Sequence, residues 1–182
     1  MPIQWYPGHM TRAKRMIKEE LKLVDGLLEV VDARLPSSSR NPELQDLTKK
    51  PRMIVLTKTD LADPAQTELW IDYWQARCET IVGTNLLLGK GLGEIRQSVA
   101  KTFPELKRLP RLLVVGIPNV GKSTLINCLT KRKGAQVGAR PGVTKGKQWL
   151  SAPGMQLLDS PGILWPKFED QGVATRLALV VS

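Results

Sequence analysis

Gly116-Ile117-Pro118-Asn119-Val120-Gly121-Lys122-Ser123 satisfies the pattern G-x-x-x-x-G-K-[ST]. The chemistry of that spacing is phosphate binding. The glycines let the backbone turn its amides toward phosphate oxygens, and the lysine neutralises the outer phosphates. The Ser hydroxyl suits Mg²⁺. Context agrees: the apolar run "RLLVVG" at 111 to 116 reads as a strand, and "GKSTLINCLTK" as the helix after it. A helix N-terminus at that point adds positive potential. Asn119, Val120, Gly121, Lys122, Ser123 and Thr124 are therefore candidate nucleotide-binding residues.

A second pattern, "LTKTD" at 56 to 60, selects a base. Guanine offers an N1–H and an exocyclic amine, two donors that one carboxylate accepts together. Adenine has an acceptor at N1, so a carboxylate placed there would be left unpaired in a dry pocket, which is how a site rejects an analogue. Asp60 is the candidate carboxylate, Thr57 opens the run, and the stem of Lys58 can cover the base face. Gly83-Thr84-Asn85, at the end of another strand, can close over the base from the other side. Two further parts complete the set. Asp159-Ser160-Pro161-Gly162 offers an aspartate for Mg²⁺ and a glycine amide for the γ-phosphate, and Thr144 in "RPGVT" offers a second Mg²⁺-facing hydroxyl. Segments held by the γ-phosphate and Mg²⁺ would be released on hydrolysis.

The elements that must position these residues follow from periodicity. Met10, Ala13, Met16, Ile17, Leu21 and Val24 recur at helical spacing, with Arg12, Lys14, Arg15, Lys18 and Lys22 mostly off that stripe. "GLLEVVDAR" reads as a buried strand ending at Asp32, and Pro36 with three serines as a loop. "RMIVL" at 52 to 56 and "TIVG" at 80 to 83 are further strands. Helices are expected over 65 to 77, with Leu69, Ile71 and Trp74 partly inside, and over "LGEIRQSVAKTF". A strand near 147 to 150 and another ending at Asp159 follow. Strands alternating with helices argue for an α/β fold, a mostly parallel sheet covered on both faces, in which ligands sit at the carboxyl ends of strands. All the motifs fall there. Their order is unusual, with base recognition first, the phosphate loop second and the switch elements last. A parallel sheet tolerates that rotation because each strand-and-helix unit brings its loop to the same edge, and circular permutation is structurally cheap where termini lie close.

Bulk properties set bounds. The 182 residues are 42% hydrophobic, ordinary globular material with enough chain for one core. Two cysteines, Cys78 and Cys128, make neither a disulfide framework nor a metal spacing, so a reduced intracellular compartment is the simplest reading. No apolar run approaches the roughly 18 residues of a membrane span. A net charge of +10 favours polyanionic partners, nucleic acid first.

With "WYPGHM", "VDARLP", "SSRNP", "GIPNVGKSTLIN", "RPGVT" and "DSPGILWPKFED" in that order, the chain resembles, essentially end to end, the circularly permuted GTPases of the ribosome biogenesis GTPase A (YlqF) type. The resemblance implies a three-layer P-loop GTPase domain over residues 1–170 and the start of a C-terminal helix at 171–182. The family's C-terminal RNA-contacting domain would lie beyond this chain. It implies GTP/GDP and Mg²⁺ as ligands, cytoplasmic action, and assembly of the large ribosomal subunit with rRNA as partner. Hydrolysis would be stimulated by the particle. The protein is expected to be monomeric and without a membrane partner. Thr57 departs from the Asn usual in the family.

In Ras-like proteins a glutamine directly after the D-x-x-G run orients water; here Ile163 stands there. His9, the only histidine, is the candidate replacement, and the resemblance points to it too. The other reading is a residue that caps the first helix or packs beside Trp5 and Tyr6. Related GTPases use an Asn at the place of Asn119 to help hold K⁺ against the phosphates. Its alternative is a loop asparagine bonding its own backbone. Three function classes follow. They are a ribosome-assembly GTPase, a GTP-gated RNA- or ribosome-binding module with negligible hydrolysis, and a signalling or membrane-associated GTPase, for which no lipidation motif speaks.

Overall fold

The computed structural model describes residues 15–41, 44–77, 80–131 and 149–159. In these, β1 (Gly26–Asp32), β2 (Arg52–Thr57), β3 (Thr80–Gly83), β4 (Arg111–Val115), β5 (Trp149–Ala152) and β6 (Met155–Asp159) form one sheet in the order β3-β2-β1-β4-β6-β5. All neighbours are parallel except the edge pair β5–β6. Helical segments are α1 (15–21), α2 (Pro36–Ser39), α3 (Leu44–Leu47), α4 (Pro64–Gln75), α5 (Leu92–Thr102) and α6 (Lys122–Thr130).

Side-chain alternation in β2 builds the layers. Met53 and Val55 enter the larger apolar cluster, which holds Ile95 and Val99 of α5 and Leu125, Ile126 and Leu129 of α6. Ile54 and Leu56 point to the opposite face and join Trp74 of α4. Each such side chain contributes about 1.5–3 kcal/mol on burial, so losing either face would unfold the sheet. The expected doubly covered, mostly parallel sheet is what forms.

β1 is central and buried along its whole length, including Glu29 and Asp32. Buried charges need partners. Glu29 accepts from the Asn41 amide at 2.9 Å and lies 3.4 Å from the Arg40 guanidinium and 3.5 Å from that of Arg52. These contacts dock the segment after α2 against the sheet.

Local readings differ at three points. Pro36 and the serines form the short helix α2 rather than a loop. Pro36 occupies its first turn, and Ser39 Oγ donates to the Leu35 carbonyl at 2.7 Å while accepting from the Asp32 amide at 3.0 Å. Leu69 is 60% exposed, because α4 buries Trp74 and Thr67 and turns Leu69 outward. Met16 is exposed while Ile17, Leu21 and Val24 are buried, a narrower stripe than the spacing suggested. Of the strand expected near 147 to 150, Trp149 and Leu150 lie in β5 and pair with β6, while 147 and 148 lie outside the described residues. The basic outer side of α1 holds for Arg15 and Lys18, both exposed, and Lys22 just after it is exposed and paired to Glu19 at 2.8 Å, while Met10, Arg12, Ala13 and Lys14 lie outside the described residues. No helix among the described residues is long and apolar enough to cross a membrane.

Candidate nucleotide site

The loop from β4 to α6 curls against β1. Gly116 has φ 156°, and a Cβ there would lie 2.6 Å from the Val30 carbonyl oxygen, so only glycine fits. Asn119 adopts the left-handed region at φ 60°, and Gly121, also left-handed, caps α6. The first intrahelical bond runs from the Leu125 amide to the Gly121 carbonyl at 2.8 Å. The amides of Lys122, Ser123 and Thr124 sit in the first turn, where no intrahelical carbonyl is in reach. A loop and helix start of this kind can hold an anion.

Lys122 is buried, and its ammonium donates to the Ile117 carbonyl at 2.7 Å. Burial pushes its pKa down to about 8, opposed by the negative charge of Asp159. Asp159 ends β6 in register with Val114 of β4, beside the loop. Burial raises its carboxyl pKa, and the charge of Lys122 partly offsets that. Sheet register thus brings the loop lysine and the strand-end aspartate into electrostatic contact.

The base-side residues come from the ends of β2 and β3. Thr57 is fully buried; its hydroxyl lies 2.6 Å from the Val120 carbonyl oxygen and 3.1 Å from that of Val31. With one proton to give, it favours the shorter contact. Lys58 is left-handed (φ 58°), and its ammonium reaches Asp32 Oδ2 at 2.9 Å and the Asn119 carbonyl at 2.7 Å. Asp60 follows in a 3₁₀ turn, Thr59–Leu61, exposed and with no side-chain hydrogen bond among the described residues. Thr59 donates twice to the Thr84 carbonyl, from its amide at 3.3 Å and its hydroxyl at 3.0 Å. Thr84 is itself anchored through its amide to the Leu56 carbonyl at 2.7 Å. Asn85 folds the next turn by accepting from the Leu88 amide at 3.1 Å. The loop after β2 therefore touches both the glycine-rich loop and the loop after β3.

Most of the expected residues thus share the carboxyl edge of the sheet: Thr57, Lys58, Asp60, Gly83, Thr84, Asn85, Asn119, Val120, Gly121, Lys122, Ser123, Thr124 and Asp159. His9, Thr144 and Gly162 lie outside the described residues, as does the expected helix at 171–182. Two features went unread. One is the strap from Thr57 to Val120, and the other is the carboxylate of Asp32 under Lys58. The only signal for Asp32 was that an apolar strand ends on it at the ligand edge.

The family model described as MMR_HSR1, 50S ribosome-binding GTPase, matches residues 111–180. The Ribosome biogenesis GTPase A of Bacillus cereus is 50% identical over 190 residues, covering 98% of this chain and 64% of that protein. That of Bacillus pumilus is 45% identical over 191 residues, covering 98% of this chain and 68% of that protein. This chain belongs to the ribosome biogenesis GTPase A family. The fold agrees with its solved members. YlqF from T. maritima, crystallised GNP-bound, superposes with a TM-score of 0.69 at 35% identity, covering 92% of this chain and 65% of that one. In this chain "LTKTD" precedes the glycine-rich loop, on a fold similar to that of the T. maritima protein. The chain spans less than two thirds of the length of the Bacillus cereus relative.

Proposed function

We propose that this chain is a GTP-binding and GTP-hydrolysing factor that assists late assembly of the large ribosomal subunit. The observation that carries the reading is the convergence of the "TKTD" loop and the glycine-rich loop, tied by Thr57 to Val120 and by Lys58 to Asn119. Asp60, exposed beside them, is the acceptor for the two guanine donors, and the stem of Lys58 covers the base. The first-turn amides of α6 and the ammonium of Lys122 take the phosphates. Residues 1–170 make up this domain.

The donor set would suit Mg²⁺ bound together with nucleotide phosphates. Ser123 and Asp159 offer hard oxygen ligands, and no group of three or more His, Cys, Asp or Glu among the described residues forms a cage of its own. When bound, the ion neutralises charge on the β- and γ-phosphates. Thr144 is proposed as a further ligand, Gly162 as a γ-phosphate amide donor, and Asn119 as a K⁺ ligand. His9 is proposed to orient the attacking water, since Ile163 cannot. The partner is the large-subunit precursor through its rRNA, met by a monomer in the cytoplasm. The net charge of +10 and the exposed Arg15 and Lys18 support a polyanionic partner.

Ile163 also favours a second reading, a GTP-gated ribosome-binding module with negligible hydrolysis. GTP turnover measured with and without large ribosomal subunits, in wild type and His9→Ala, separates the two. The first reading expects stimulation by the particle and its loss by about 10²–10⁴ in the variant. Sedimentation with subunits that depends on GTP, with no stimulated turnover, would favour the second.

A further inference from the structure

The carboxylate of Asp32 is 2% exposed and holds two cations at once. Its Oδ1 accepts from the Arg34 amide and Nε, each at 3.0 Å, and its Oδ2 accepts from Arg34 Nη2 at 2.8 Å and from Lys58 Nζ at 2.9 Å. Asp32 stands opposite Thr57 in the β1–β2 register, so the carboxylate sits directly under the loop that carries Lys58. The same ammonium donates to the Asn119 carbonyl at 2.7 Å. Asn119 is in the left-handed region, as is Lys58 itself. Two strained residues, one in each nucleotide loop, are therefore joined through a single ammonium whose counter-charge is Asp32.

We infer that Asp32 is a positioning residue of the nucleotide site, acting through Lys58. This rests on the guanine-nucleotide reading given above. An ammonium with three donors and a flexible stem has no preferred direction of its own. A buried carboxylate fixes it, because pulling the pair apart leaves a charge in a poorly solvated place. Held there, Lys58 keeps its stem flat beside Asp60 and keeps the Asn119 carbonyl bonded, so the phosphate loop is preformed before nucleotide arrives. Without Asp32, the ammonium is drawn toward solvent or toward the incoming phosphates, and both loops must be ordered at the expense of binding free energy. Burial raises the Asp32 pKa, but the hydrogen bonds from Arg34 and Lys58 outweigh it and the net shift is downward, in keeping with a carboxylate that stays ionised. Arg34 secures the other side of the carboxylate and has no hydrogen bond or ion pair with the glycine-rich loop among the described residues.

The test is a double-mutant cycle on affinity for a fluorescent GDP analogue, with thermal unfolding followed in parallel. Asp32→Asn keeps the shape and an acceptor for Arg34, and is expected to weaken GDP by about tenfold or more. Lys58→Met is expected to weaken it at least as much. In the Lys58→Met background, Asp32→Asn should cost nothing further, since the path it acts through is gone. Arg34→Ala should leave affinity within about twofold while lowering thermal stability, which a merely structural role for Asp32 would not distinguish from Asp32→Asn. If Asp32→Asn fails to fold, Lys58→Met carries the test, and GDP affinity within twofold of wild type in that variant overturns the inference. Additive losses in the double variant also overturn it. Failure of the wild type to bind GDP would overturn the nucleotide reading and this inference together, whereas normal wild-type binding with an unaffected Asp32→Asn overturns this inference alone.

Discussion

The hydroxyl of Thr57 lies 2.6 Å from the carbonyl oxygen of Val120 and donates to it, joining two loops 63 residues apart in the chain. The Asn that the family resemblance implies at this position would offer an amide donor. Thr57 offers a hydroxyl instead, inside a fully buried site. The substitution therefore keeps the strap between the base loop and the phosphate loop.

Thr57→Val removes that donor at constant shape. A buried carbonyl left without its partner costs about 1–3 kcal/mol, so the variant should melt earlier and release GDP faster, while Thr57→Ser stays near wild type. Stopped-flow release of a fluorescent GDP checks this. Equal release rates for Val and Ser variants would mean the strap does not hold the nucleotide loops.

Asp60→Asn should exchange base preference. Xanthine carries an oxygen where guanine carries its amine, so an amide donor suits it where a carboxylate does not. GDP affinity is expected to fall by at least about a hundredfold and the affinity for xanthosine diphosphate to rise. Competition binding with the two nucleotides reads both changes. Unchanged preference would move base recognition away from Asp60.

Nucleotide binding should take up a proton at alkaline pH. Burial sets the Lys122 pKa at about 8 in the free protein, and phosphates favour its charged form. Affinity should thus be full below pH 8 and fall as pH rises through it. For the fold alone the sign is opposite. The charged form is disfavoured in the folded state relative to its ordinary 10.5, so the nucleotide-free protein gains stability between pH 8 and 10.5. Calorimetry at pH 9 in buffers of different ionisation enthalpy should register an uptake approaching one proton, and at pH 7 almost none. No uptake at pH 9 would mean that Lys122 is already charged before phosphates arrive.

Gly91 and Gly93 should respond oppositely to alanine. A Cβ on Gly91 would lie 2.4 Å from the Gly83 carbonyl oxygen and 2.7 Å from Thr84 Cγ2, at φ +87°, whereas one on Gly93 meets nothing within 4 Å. Gly91→Ala should cost about 3 kcal/mol and displace the Gly83–Asn85 turn, speeding nucleotide release. Gly93→Ala, inside α5, should stabilise by up to about 1 kcal/mol. Thermal melts of both variants read the contrast, and similar melting temperatures would contradict the packing described.

Much of this was legible in the chain because its signals are local. The strands at 26–32, 52–57, 111–115 and 155–159 each centre on an apolar run, broken inside only by Glu29 and Gln156, as suits buried parallel strands. The loop at 116–123 declares itself through glycine spacing and a helix start. Contacts across the sheet left no such mark. Nothing near Thr57 in sequence names Val120, and nothing near Asp32 names Lys58, since register decides both. Leu69 was misread because apolar spacing marks a helix without saying which side of it meets the sheet. α2 was hidden because a proline followed by serines reads as a turn until Ser39 is seen closing onto Asp32 and Leu35.

The central claim is that "TKTD" and the glycine-rich loop, rotated in chain order, form one guanine-nucleotide site. Calorimetric titration of the protein with GTP, GDP and ATP in the presence of Mg²⁺ tests it most directly. One saturable site is expected for GTP and GDP, with ATP at least about a hundredfold weaker, because adenine presents an acceptor at N1 and no amine at C2, the edge that Asp60 would meet. ATP binding as tightly as GTP at that same site would contradict it.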